Sequence, residues 1–224
     1  MFISKATLFG LSILIAGTIA IIRHDRINRV ILPFILCVWI GGINEILSYF
    51  LWETGHSTLI NNNIYVLAEA ILFLVFFKNI GIFEKYLWLF GIVITGWIGL
   101  WFWENLILGK INFVSSWFRI TYSFLIVLMG ITGINKLMLL DINKPIGTNS
   151  SNIFKNPVFL ICIGSIVFFT FKLIVEIFWF YGLNASKDFR LDVYDILIYI
   201  NLIVNLVYAL AVLWIPAKQQ YILL

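Results

Sequence analysis

Long apolar runs broken by short polar clusters set the pattern of this chain. A bilayer core of about 30 Å takes roughly 20 apolar residues as helix. Seven stretches approach or meet that length: 3–22, 30–51, 59–78, 86–103, 112–138, 157–180 and 193–215. Between them lie RHDRINR, WETGHS, KNIGIFEKY, ENLILGK, the longer DINKPIGTNSSNIFKNP, and GLNASKDFRLD. The pattern predicts an all-α polytopic membrane protein, one seven-transmembrane-helix bundle spanning residues 1–224 with no separate soluble domain.

The positions of the basic residues predict the threading. With the amino terminus outside, nine of the 15 lysines and arginines fall on the cytoplasmic side: Arg23, Arg26, Arg29, Lys78, Lys85, Lys136, Lys144, Lys155 and Lys218. Four fall outside, namely Lys5, Lys110, Lys187 and Arg190, while Arg119 and Lys172 lie within spans. Positive residues gather on the cytoplasmic face of membrane proteins, so the expected orientation is amino terminus out and carboxyl terminus in. The competing reading of residues 1–22 is a cleaved signal peptide. A single lysine before the apolar run and RHDRINR directly after it suit an uncleaved helix better.

Composition agrees with this picture. Hydrophobic residues make up 62% of the chain and charged ones only 12%, against about 25% charged in a soluble domain. The expected setting is a lipid bilayer, and specifically a bacterial inner membrane. A net charge of +4 reads as topology rather than as affinity for nucleic acid, because the basic residues sit in short loops beside apolar spans. Both cysteines, Cys37 and Cys162, fall inside spans and read as small packing residues. Both histidines, His24 and His56, sit at span edges, so no helix offers the paired intramembrane imidazoles of a b-type haem. The chain carries no CxxC, HExxH, P-loop or GxSxG, and neither a cofactor nor a metal is expected.

The apolar pattern is broken at a few depths, and those breaks carry the functional reading. FFTFKLIVEIFWF, residues 168–180, holds Lys172 and Glu176 in an otherwise apolar segment. On the expected threading Lys172 lies about 12 Å and Glu176 about 6 Å below the outer end of its helix. Glu45, Glu104, Arg119 and Asp195 also fall toward that side, with Glu69 near the middle of its helix and Asn201 and Asn205 deeper than Asp195. The inner halves of the spans are close to purely apolar. Helical spacing places the polar groups on faces: Asn62, Tyr65 and Glu69; Ser115, Arg119 and Tyr122; Ser165, Lys172 and Glu176; Tyr194, Asn201, Asn205 and Tyr208.

A charge near a helix centre costs about 2.5–3.5 kcal/mol on insertion scales. Glu69, Arg119, Lys172 and Glu176 therefore need partners, protonation or water. Lys172 and Glu176 are one turn apart and can pair with each other. Glu69 has no charged neighbour on its own helix and needs Arg119 or Lys172 across the bundle, or else a proton. The expected site is a polar pocket in the outer half with Glu45, Glu69, Arg119, Lys172, Glu176, Asn201 and Asn205 as candidate ligand-binding residues. The plainer reading is a set of interhelical ion pairs that fix register, with Lys172 extending toward the surface.

NNNIYVLAEAILFLVFF, NPVFLICIGSIVFFTF and INLIVNLVYALAVLWIP give the chain a further context. It resembles a group of small seven-helix inner-membrane proteins common in Bacteroidota and frequently encoded beside histidine kinases. The shared features are an acidic residue in the second helix (Glu45), Asn62 and Asn63 before the third, Glu69 within it, and Asn201-x-x-x-Asn205 in the seventh. The resemblance implies a sensory or accessory membrane component. Lys172 departs from the group's pattern, which has small residues there. Retinal proteins and three-plus-one-plus-three sugar transporters fit less well: the last helix has no lysine, and no proline–glutamine pair is present.

Three function classes follow as expectations. The leading one is a non-enzymatic protein that binds a small molecule or lipid headgroup in the outer pocket and signals inward, its cytoplasmic loops, especially 139–156, contacting a cytoplasmic or membrane partner, although the turn-rich NKPIGTNSSN taken alone reads first as a flexible connector and only second as a docking surface. The second is a small-solute or proton-coupled transporter with Glu69 as the titrating group. The third is a lipid-modifying membrane enzyme using Glu69 or Glu45 as base and Arg119 or Lys172 to hold a phosphate.

Overall fold

The computed structural model describes residues 9–142, 153–181 and 187–216. Every regular element among them is helical. We number seven long helices: α1 Ile13–Ile22, α2 Leu32–Glu53, α3 Leu59–Asn79, α4 Leu87–Phe102, α5 Ser116–Ile142, α6 Pro157–Tyr181 and α7 Lys187–Leu213. Six helical segments are long and apolar enough to cross a bilayer, the third of them running over Leu87–Ile107. The chain is thus a helical, multi-pass membrane protein. The described part of α1 has 10 residues, a rise of about 15 Å, which is half a bilayer. Residues 3–8 of the span expected there lie outside the described residues.

Helix starts follow from local chemistry. Asn28 Oδ1 accepts the backbone N–H groups of Val30 and Ile31, each at 3.0 Å, just ahead of α2. Asn156 Oδ1 accepts those of Val158 (2.9 Å) and Phe159 (3.4 Å) at the start of α6. Both helices also open with proline in the first turn, where its missing N–H removes nothing.

Two boundaries differ from the hydropathy reading. ENLILGK was expected as a break, yet the helix continues through a π-turn at Trp103–Ile107 and stops only at Gly109, whose φ of +65° is left-handed. Glu104 explains this. Its carboxylate is fully buried and accepts the N–H groups of Trp117 (3.2 Å) and Phe118 (2.8 Å), which lie in the first turn of α5. Likewise α7 starts at Lys187 rather than 193. Polar residues end a membrane span, but without glycine or proline they do not end a helix.

The packing order resolves what periodicity could not. Six helices close a ring in the order α1, α2, α3, α5, α6, α7 and back to α1, while α4 lies outside it against α3 and α5. Accordingly α4 buries only Trp97 along its length. Polar ties hold the end of the bundle that carries Arg23. The Arg23 guanidinium donates to the Leu213 carbonyl at the end of α7, and Asn79 Nδ2 donates to the Arg29 carbonyl at 2.9 Å. At the same end Lys136 of α5 bonds the Gly81 carbonyl (3.0 Å) and the Glu84 carboxylate (2.8 Å).

Inside the ring, this half of the bundle is filled by aromatic side chains. Phe34, Phe76, Phe77 and Phe169 are all 1% exposed or less. Phe34 meets Tyr208 at 4.9 Å and Phe73 meets Phe169 at 5.2 Å, both edge to face. Gly164 lets α6 and α7 approach, since a Cβ there would lie 2.6 Å from the Tyr208 ring.

Candidate functional site

The other half of the ring, toward the α2–α3 turn, is polar inside. Its centre is Glu69 on α3, 4% exposed. Lys172 Nζ of α6 donates to its Oε2 at 2.9 Å. Tyr122 of α5 donates to the same oxygen at 2.7 Å, and Tyr65, one turn back on α3, donates to Oε1 at 2.8 Å. The Lys172 ammonium also sits 5.1–5.4 Å from the ring centroids of Tyr122, Phe168 and Phe169. Three donors and three ring faces thus surround one buried ion pair, which is what stabilises it in a low-dielectric setting.

A second pair lies nearer the polar end. Arg119 Nη1 reaches Glu176 Oε1 at 3.4 Å, with side-chain exposures of 13% and 11%. The expected Lys172–Glu176 pair along α6 is therefore not the one formed. Each of these residues instead pairs across the bundle, Lys172 with α3 and Glu176 with α5. Lys172 turns inward because a triply bonded carboxylate and aromatic faces lie there.

Arg119 is set by a residue whose role the sequence reading missed. Asn63 is fully buried and uses its whole amide. Its Nδ2 donates to the carbonyls of Ile111 (3.0 Å) and Phe113 (2.7 Å). Its Oδ1 accepts from Ser115 (3.0 Å) and from Arg119 Nη2 (3.1 Å). Its backbone carbonyl takes the Trp101 indole N–H at 2.9 Å, which docks α4. The only signal in the sequence was the run Asn61-Asn62-Asn63 at the head of an apolar helix. Asn61 in turn donates to Asn44 Oδ1 (2.8 Å) and Ser48 Oγ (3.1 Å), locking α2 to α3.

Beside these pairs is a half-open cavity of about 230 Å³. Six of the seven candidate residues line it: Glu45, Glu69, Arg119, Lys172, Asn201 and Asn205. Glu176 does not, and reaches the wall through its pair with Arg119. Gly10, Gly41, Asn62, Tyr65 and Phe168 complete much of the wall. Gly10 and Gly41 were not singled out by the sequence. A Cβ on Gly10 would come within 2.5 Å of the Glu45 carboxyl carbon, so glycine there makes room for that side chain.

The lining groups differ in how far they are already satisfied. Asn205 Nδ2 donates to Ser12 Oγ at 2.9 Å and ties α7 to the segment before α1. Lys172 and Glu69 hold each other, and Arg119 is held by Glu176 and Asn63. Glu45 and Asn201, by contrast, have no hydrogen-bond or ion-pair partner among the described residues. Glu104 and Ser165 are structural: Glu104 caps α5, and Ser165 meets Tyr208 at 3.2 Å. The side chain of Tyr194 and most of loop 139–156 lie outside the described residues.

Among the described residues no group of three His, Cys, Asp or Glu side chains converges as a metal site requires, and both cysteines are buried free thiols. No family model matches this chain, and no curated protein and no solved structure is similar to it.

Proposed function

We propose that this protein is a membrane receptor or sensory component that binds a small polar solute or lipid headgroup in the cavity beside Glu69. The reading includes seven spans, with the cavity facing outward and the Arg23 end facing the cytoplasm, supported by the nine-to-four distribution of basic residues. One observation carries it: the cavity holds two uncommitted polar groups, Glu45 and Asn201, beside a buried ion pair, with a packed aromatic layer beyond that pair. A pocket open at one end and stopped at the other suits capture of a ligand and a response passed through the helices.

Transduction has a defined candidate route. A ligand against Glu45 and Asn201 touches α2 and α7, while Glu69, Lys172 and Arg119 join α3, α6 and α5 at the same level. Occupancy would thus bias five of the six ring helices together. Native mass spectrometry of the gently solubilised protein tests the reading. A defined small adduct is expected on the unsubstituted chain and not on Asn201→Leu, which replaces a lining amide with a bulkier apolar side chain. Substrate-dependent uptake by the protein in proteoliposomes would instead make it a carrier.

A further inference from the structure

Among the described residues, the charges around the cavity do not balance. Lys172 is matched by Glu69 at 2.9 Å and Arg119 by Glu176 at 3.4 Å. Glu45 is left over, on α2 in the cavity wall, partnerless among the described residues and given its space by Gly10. Asn201 of α7, also in the wall, offers a carbonyl oxygen without a partner among the described residues. Asn62 lines the same cavity, its own Oδ1 taking only a long 3.5 Å contact from Ser48. We propose, building on the pocket reading above, that the ligand is a primary ammonium: a small protonated amine whose nitrogen sits between Glu45, Asn201 and Asn62.

Three arguments converge on that class. An ammonium has three N–H donors and no acceptor, which matches a carboxylate and two amide oxygens. Its charge cancels the unpaired carboxylate, which is half-buried and costly to leave without a counter-charge at this depth. An anion meets the reverse situation, since both cations in the wall already hold carboxylates. Size sets the rest. A cavity of about 150 Å³ takes a benzene-sized guest, so about 230 Å³ takes a body of roughly ten non-hydrogen atoms. A free alkylamine and the ethanolamine headgroup of a phospholipid present the same chemistry.

Full-length protein with a charge series of near-isosteric probes decides it: ethanolamine as cation, ethylene glycol as neutral, glycolate as anion. Ethanolamine is expected to stabilise the protein against heat and to bind at least tenfold more weakly to Glu45→Gln, with Glu45→Asp keeping most of the affinity. Native mass spectrometry from nanodiscs of phosphatidylethanolamine mixed with phosphatidylglycerol separates the sources. A retained phosphatidylethanolamine assigns the headgroup; an adduct of free ethanolamine alone assigns a soluble amine. Equal effects of all three probes, or a preference for glycol or glycolate, would overturn the ammonium assignment while leaving the pocket reading intact. No binding by any probe and no lipid adduct would overturn both. The probe series on the unsubstituted chain stays decisive if Glu45→Gln does not purify.

Discussion

Glu69 accepts from Lys172, Tyr122 and Tyr65 within 2.7–2.9 Å, and this concentration makes the single substitutions unequal to the double one. Glu69→Gln leaves a buried ammonium, and Lys172→Met leaves a buried carboxylate. Each is expected to destabilise by about 3–5 kcal/mol, because removing one partner strands the other charge. The double substitution Glu69→Gln/Lys172→Met removes both charges, so its loss should be well below the sum, by 2 kcal/mol or more on the scale of such couplings. Thermal or denaturant unfolding in one detergent measures the cycle. Lys172→Met with Glu176→Gln is the control, since these residues belong to different pairs and their effects should add or worsen. The need of Glu69 for a partner was legible in the sequence, because it stands alone on its helix. Which cation answers it was not, since Lys172 reaches Glu176 equally well by helical spacing. The choice depends on Tyr122 and the phenylalanines around it, a property of packing.

Asn63 and Glu104 show how single polar side chains hold whole elements in place. Asn63 makes four side-chain hydrogen bonds that fasten α3, the 110–115 segment and the first turn of α5. At about 1 kcal/mol for a typical net bond, and more where a buried group is left unmet, Asn63→Ala should cost about 3–5 kcal/mol. It should also loosen Arg119, so trypsin in detergent is expected to cut at Arg119 faster in this variant than in the parent. Glu104→Ala removes a carboxylate from two N–H groups at the head of α5 and is expected to cost about 1–2 kcal/mol. Glu104→Gln, which keeps an acceptor, should lose less. Hydropathy could place these helices but not such ties, because it scores polarity by position and not by partner. ENLILGK therefore reads as a loop although Glu104 is fully buried. The extension of α7 back to Lys187 was hidden for the same reason.

The ring α1–α2–α3–α5–α6–α7, with α4 outside, gives the molecule its polarity: a polar half around Glu69 and an aromatic half around Phe34, Phe73 and Phe169. The asymmetry is visible along the chain, since charges cluster at one depth. The exclusion of α4 is not, because Leu87–Phe102 is as apolar as its neighbours and only packing shows that it buries little. Cysteine accessibility turns this arrangement into a measurement that also fixes orientation. Ser57 in the α2–α3 turn and Lys85 in the α3–α4 turn are exposed at opposite ends, Asn201 lines the cavity, and Phe73 is 3% exposed in the aromatic layer. In intact cells an impermeant maleimide is expected to label Ser57→Cys and, more slowly, Asn201→Cys. Lys85→Cys should react only after the membrane is opened, and Phe73→Cys from neither side. The native thiols Cys37 and Cys162 are buried and set a low background. Reversal of the Ser57 and Lys85 pattern would invert the proposed orientation. Labelling of Phe73→Cys from the Lys85 side would mean that the aromatic layer parts, and a layer that parts belongs to a carrier. An unreactive Phe73→Cys beside a reactive Asn201→Cys leaves a ligand one way in and the same way out, so whatever passes inward is a change of helix position and not the ligand itself.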